Sequence, residues 1–221
     1  MKKIKNKKGF TIGEVMVAVF ILTFGIISAV FLSAKSIATI TDSRDAIIAA
    51  SLAQEGVELV RSVRDNSVTQ STCGSGSERC TAFDMATGYA WPSLASGGGS
   101  CNVDFKLKAA TGLLCGAFDL TALNINTSDY TYSHDTGTTT PFKRIIFIDY
   151  VDAQTGAPIN SIPGTPADID RVAAKVTSVV TWKGNADLNI GSSSLAEANC
   201  KIGKQCAIAQ TKLTSWINFG E

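Results

Sequence analysis

Residues 15–34 read Val-Met-Val-Ala-Val-Phe-Ile-Leu-Thr-Phe-Gly-Ile-Ile-Ser-Ala-Val-Phe-Leu-Ser-Ala, 20 positions without one charge. As a helix this stretch spans about 30 Å, the thickness of a bilayer's hydrocarbon core. In front of it stand five lysines within the first eight residues: Lys2, Lys3, Lys5, Lys7 and Lys8. Such a cluster holds its own end in the cytoplasm, so the remainder of the chain is expected on the far side of the membrane. A cleaved secretory signal would want a shorter apolar core and small residues at its cleavage site. Leu32-Ser33-Ala34 is a poor version of that site. A plain signal anchor fits the length but leaves the residues before the apolar stretch unexplained.

Those residues are Lys7-Lys8-Gly9-Phe10-Thr11-Ile12-Gly13-Glu14. The segment resembles the processing site of type IV prepilins and pseudopilins. In that family a membrane peptidase cuts after the glycine and methylates the new N-terminal residue. The resemblance implies cleavage between Gly9 and Phe10, N-methylation of Phe10, and an assembly role for Glu14, four positions further on. It departs from the family at Gly13, where a large aliphatic residue is usual. The strings Gly13–Val19 and Ala53–Arg61 are similar to the equivalent parts of PilV-like minor pilins.

A physical argument for Glu14 stands beside the resemblance. A carboxylate next to the membrane core is unfavourable unless neutralised or paired. Once the leader is removed, its own chain offers no basic partner nearby. The Phe10 amine of a neighbouring subunit would supply one and would set the axial offset between subunits. The alternative is that Glu14 lies at the level of the lipid headgroups.

Beyond the apolar stretch the helical pattern continues. Ile37, Ile40, Ile48, Leu52, Leu59 and Val63 recur at helical spacing, and Ala46, Ala49, Ala50 and Ala53 are good helix formers. Asp42, Arg44, Asp45, Glu55, Glu58, Arg61 and Arg64 read as a solvated face, with Glu58 and Arg61 spaced as an i,i+3 pair. The spacing predicts a single helix over 10–65, with about 10–35 in the membrane or a filament core. Residues 66–221 would form the exported domain, loop-rich to about 140 and mainly β thereafter. Glycine runs such as Gly97-Gly98-Gly99 mark 67–116 as poor in regular structure.

Strands are expected at Arg144–Val151, which is rich in β-branched and aromatic residues. A second run alternates Val172, Ala174, Val176, Ser178, Val180 and Trp182 on one face. A third alternates Ala207, Ala209, Leu213, Ile217 and Phe219. Turn signals at Gly156, Pro158, Pro163-Gly164, Pro166 and Gly184-Asn185 separate them. The expected fold class is α+β, an antiparallel sheet with one apolar face to cover. A long helix laid on that sheet is also what the pilin resemblance implies.

The chain has 221 residues, 20 Lys+Arg against 19 Asp+Glu. Without the five N-terminal lysines the balance is mildly acidic, which argues against a phosphate-binding surface and a nucleic-acid partner. Six cysteines, Cys73, Cys80, Cys101, Cys115, Cys200 and Cys206, all follow the apolar segment. An even number confined to the part placed outside fits disulfides. Fifteen connectivities are open; the expectation is local pairing, Cys73 with Cys80, Cys101 with Cys115, Cys200 with Cys206. No C-x-x-C spacing points to zinc or thiol exchange.

His134, the single histidine, sits in a polar segment and reads as an exposed loop residue. No elbow motif surrounds a serine, and Asp149, Asp152, Asp168 and Asp170 lack regular calcium-ligand spacing. No phosphate-cradling or dinucleotide glycine pattern occurs. Trp91, Trp182 and Trp216 read as core or sheet residues. Asn126-Thr127-Ser128 is a formal glycosylation sequon, a weak signal outside a eukaryotic secretory setting. The expectation is a filament subunit and not an enzyme, without metal or cofactor. Its partners would be membrane lipid before assembly, the prepilin peptidase, the inner-membrane assembly machinery and other pilin subunits. The rival readings are a pseudopilin of a secretion system and a pilus-tip adhesin or DNA-uptake subunit.

Overall fold

The computed structural model describes Gly9 and residues 11–70, 98–103, 113–116, 121–134, 137–159, 172–183, 190–200 and 204–214. The chain divides into two units, Met1–Asp45 and Ala46–Glu221. The described residues are α+β: helix α1 (Ile12–Gln70), strands β1 (Gly98–Val103), β2 (Leu113–Gly116), β3 (Thr121–Ile125), β4 (Tyr132–Ser133), β5 (Thr138–Asp152) and β6 (Val172–Thr181), helix α2 (Ser193–Asn199) and strand β7 (Cys206–Thr214). α1 continues past the expected end at 65 to Gln70. Ser67 and Thr69 are only mildly unfavourable in a helix, and no Gly or Pro intervenes before Gly74.

In the second unit one antiparallel sheet is organised on the long strand β5. β6 pairs along one edge of it, with Arg144 opposite Val180 and Ile148 opposite Val176. β7 pairs outside β6, with Val176 opposite Thr211. The other edge of β5 is shared by β3 and β1, which carry β4 and β2 outside them. β5 is longer than expected, reaching back through Pro141 to Thr138. A proline cannot donate to a ladder, but the β3–β5 register shifts between Ala122 and Asn124, opposite this point, and the β6 pairing begins only at Lys143. At this irregularity Thr140 Oγ1 donates to Leu123 O at 2.7 Å.

Within 67–116, expected to be poor in regular structure, the described residues include the short strands β1 and β2. Gly98, Gly99 and Ser100 pair with Asp149, Ile148 and Phe147 of β5. Pairing to a buried strand outweighs the weak strand preference of glycine. β3 and β4 likewise place strand before 140.

The outer part of α1 packs on one face of the sheet. Val57, Leu59, Val60 and Val63 meet Ile146, Ile148, Tyr150, Val172, Ala174 and Val176. Ala49, Leu52 and Ala53 meet Leu123, Phe142, Val180 and Trp182. Each large side chain fully buried here contributes about 1.5–3 kcal/mol. The other face is covered as well: Ile145, Phe147 and Val179 pack with Ile190 and with Ala196 of α2. The sheet therefore has two faces to bury, not one, and β6 is buried at nearly every position. Alternation alone hid this, because Ala173, Thr177 and Thr181 read as solvent-facing yet lie under cover.

Candidate functional site: the N-terminal helix and its covalent ties

Gly9 is exposed and precedes the helix; Phe10 lies outside the described residues. Thr11 caps the first turn. Its carbonyl accepts from the amides of Glu14 (3.1 Å) and Val15 (3.2 Å), and its Oγ1 accepts from Glu14 N at 3.3 Å. Thr11-x-x-Glu14 has the spacing of a capping box, a signal readable in the sequence. A carboxylate in the first turn also meets the positive end of the helix dipole. Glu14 thus sits where a helix start favours it, independently of any partner. Gly13 lies within the helix.

Over residues 15–34 α1 is uncharged on every side and exposed: Val15, Phe20, Ile21, Leu22, Phe24, Ile27, Phe31 and Leu32 all lie open. A helix apolar all round is stable only inside an apolar surrounding. α1 is long and apolar enough to cross a membrane, by length and composition. Within the uncharged stretch two hydroxyl side chains are satisfied by the helix itself. Thr23 Oγ1 donates to Phe20 O at 2.8 Å and Ser28 Oγ to Phe24 O at 2.9 Å, which suits a medium without water. Ile37 and Ile40 also lie exposed, whereas Leu52, Leu59 and Val63 from the same expected set are buried.

The polar residues of the outer part divide. Glu58 and Arg61 form the expected exposed pair at 2.7 Å. Arg64 does not belong to a solvated face, and Glu55 is only half-exposed. Arg64 is buried, bonding Asp65 at 2.9 Å and Thr214 O at 3.3 Å. Glu55 accepts from Arg144 at 3.1 Å. Arg144 itself has no exposed surface. It was legible as inward-facing, because it shares the parity of Ile146, Ile148 and Tyr150 along β5. Gly56 permits this close approach: a Cβ there would stand 2.5 Å from Ser178 Oγ and 3.3 Å from Arg144 Cδ.

Cys200 and Cys206 form a disulfide with Cα atoms 5.6 Å apart, the pairing expected. It ties the end of α2 to the start of β7. Cys101 is buried and disulfide-bonded. The β1–β2 register places it opposite Cys115. Cys73 and Cys80 lie outside the described residues, as do Ile217, Phe219, Asp168, Asp170, Trp91 and Trp216. Trp182 is buried in the core under α1.

His134 is half-buried beside β4, not fully exposed, because the β3–β4 pairing draws its segment against the sheet. Asp152 is committed to its own turn, accepting from Gln154 N at 2.9 Å and Thr155 N at 2.6 Å. On the surface Glu197 accepts from Lys175 and Gln210, each at 2.6 Å, and these bonds lower its pKa. The chain matches no family model, no curated protein and no solved structure.

Proposed function

We propose that this chain is the precursor of a filament subunit, a minor pilin or pseudopilin, whose work is assembly and not catalysis. One observation carries the reading: the cleavage-type sequence Lys8-Gly9-Phe10 and Glu14 stand at the start of a helix whose next 20 residues are uncharged and exposed. Cleavage after Gly9 frees Phe10. The apolar helix is held in lipid until assembly and then exchanges lipid for other helices, the same apolar surface serving both states. Glu14, beside the new N-terminus, meets the Phe10 amine of the next subunit. The sheet domain and its disulfides form the part presented outside.

The test is the N-terminal residue of the chain from its own membranes, with and without active prepilin peptidase. A methylated Phe10 that disappears with the peptidase is the expected result. An intact Met1, or a start beyond Ala34, overturns the proposal.

A further inference from the structure

The filament reading leaves one motif unused, the sequon Asn126-Thr127-Ser128, and the structure gives it a defined setting. It occupies the turn between β3 and β4. Asn126 N donates to Thr131 O at 3.0 Å, and Tyr130 N donates to Asn126 O at 2.8 Å. Asp129 Oδ1 accepts from Thr131 N at 3.2 Å and from Thr131 Oγ1 at 2.7 Å. The turn is therefore closed by its own hydrogen bonds, and residues 127–130 are exposed. Within it Asn126 Oδ1 accepts from Ser128 N at 2.9 Å. The carbonyl branch of the amide is turned toward Ser128, which leaves the Nδ2 branch on the other side.

Tyr130 is the second observation. Its φ is 56°, a left-handed conformation that is unfavourable for a non-glycine residue. Burial does not offset this, because the side chain is 75% exposed. An aromatic ring held open beside the sequon offers an apolar face of the kind that the C–H face of a pyranose covers.

We infer that Asn126 is an acceptor for an N-linked glycan, with Tyr130 as the surface against which its first sugar lies. The donor class is a lipid-linked oligosaccharide, used by a membrane transferase on the non-cytoplasmic side. Asn126 Nδ2 attacks the anomeric carbon. The bond from that carbon to the phosphate oxygen breaks as the C–N bond forms. The lipid phosphate leaves with the electron pair, and the amide proton passes to a base of the transferase. Ser128, two residues on, is the hydroxyl such an enzyme requires. The inference rests on the proposed topology, with the second unit outside the cytoplasm.

The experiment is mass spectrometry of the full chain from its native membranes, reading the tryptic peptide 109–143 and the N-terminal peptide in one sample. Peptide 109–143 should carry a discrete saccharide mass located on Asn126. Asn126→Gln and Ser128→Ala should lose it, and Ser128→Thr should keep it. An unmodified peptide from the wild-type chain overturns the inference. A processed Phe10 beside an unmodified Asn126 sinks the glycan alone; a glycan beside an intact Met1 sinks the filament reading alone. Hydroxyl-radical labelling of Tyr130 should be lost in the glycosylated chain and present in Asn126→Gln. Equal labelling of the two overturns the stacking role.

Discussion

Arg144 on β5 reaches Glu55 on α1 with Nη1 3.1 Å from Oε1, and the same nitrogen lies 3.4 Å from Leu52 O. A guanidinium with no exposed surface is thereby held against the helix. Removing one partner of such a pair is worse than replacing both, since the remaining charge keeps its desolvation penalty. Glu55→Ala should destabilise the second unit by about 2 kcal/mol. Glu55→Ala combined with Arg144→Met should recover most of that loss. Denaturant unfolding of both variants and of Arg144→Met alone decides it; a double-variant loss equal to the sum of the two single losses would show that the pair carries no coupling.

Gly56 is retained for space and not for flexibility. Alanine favours a helix over glycine by about 1 kcal/mol. Here its Cβ would meet Ser178 Oγ at 2.5 Å and Ile146 Cδ1 at 3.2 Å. Overpacking of this kind costs about 1–3 kcal/mol, so Gly56→Ala should lower stability despite its better propensity. Ser178 Oγ is buried without a hydrogen-bond partner among the described residues. Adding Ser178→Ala should therefore restore Gly56→Ala to at least wild-type stability in thermal melts. Failure of that rescue would place the obstruction at Ile146 or Arg144 instead.

The Cys200–Cys206 disulfide closes a loop of sequence separation 6. Constraining so short a loop contributes about 2 kcal/mol. A Cys200→Ser, Cys206→Ser double variant should fold, melt earlier, and exchange the amides of α2 faster. Unchanged exchange in residues 193–199 would mean that Ile190 and Ala196 hold the cover without the bond.

Glu197 has its pKa lowered from the ordinary 4.5, first by its hydrogen bond from Lys175 and then by that from Gln210. A depressed carboxylate stabilises the fold above its unfolded pKa and loses that contribution as pH falls through the folded value. The loss therefore belongs to the acid side of 4.5. The side chains of Lys175 and Glu197 are 36% and 40% exposed, and solvent screening limits the effect to about 0.5 kcal/mol or less. Carboxyl NMR should show Glu197 titrating below the ordinary value and moving up in Lys175→Ala. An unshifted midpoint in the wild type would remove the pair from the account.

Glu14 has two candidate duties, a helix cap within its own chain and a charge for a neighbour. Glutamine preserves the first and abolishes the second. Both Glu14→Ala and Glu14→Gln should still be cleaved after Gly9 and enter filaments poorly. Normal incorporation of Glu14→Gln would eliminate charge pairing and leave the cap.

The sequence by itself determined the apolar helix and the strand runs at Arg144–Val151 and from Val172 onward. Each is a local property: 20 uncharged residues, a run of β-branched and aromatic residues, and period-two alternation; the Cys200–Cys206 tie was an expectation that only the structure decided. What only the tertiary structure decided is where local preference was outvoted. Gly98 and Gly99 became strand because β5 had an open edge to pair. Thr177 and Thr181 are buried on the second face of the sheet, which packs with Ile190 and α2 at Ile145, Phe147 and Val179. Glu55, half-exposed, was drawn to the edge of the core as the counter-charge of Arg144, 89 residues later. No window along the chain contains such pairs, since burial and partners are set by residues far apart in sequence and brought together only by the packed sheet.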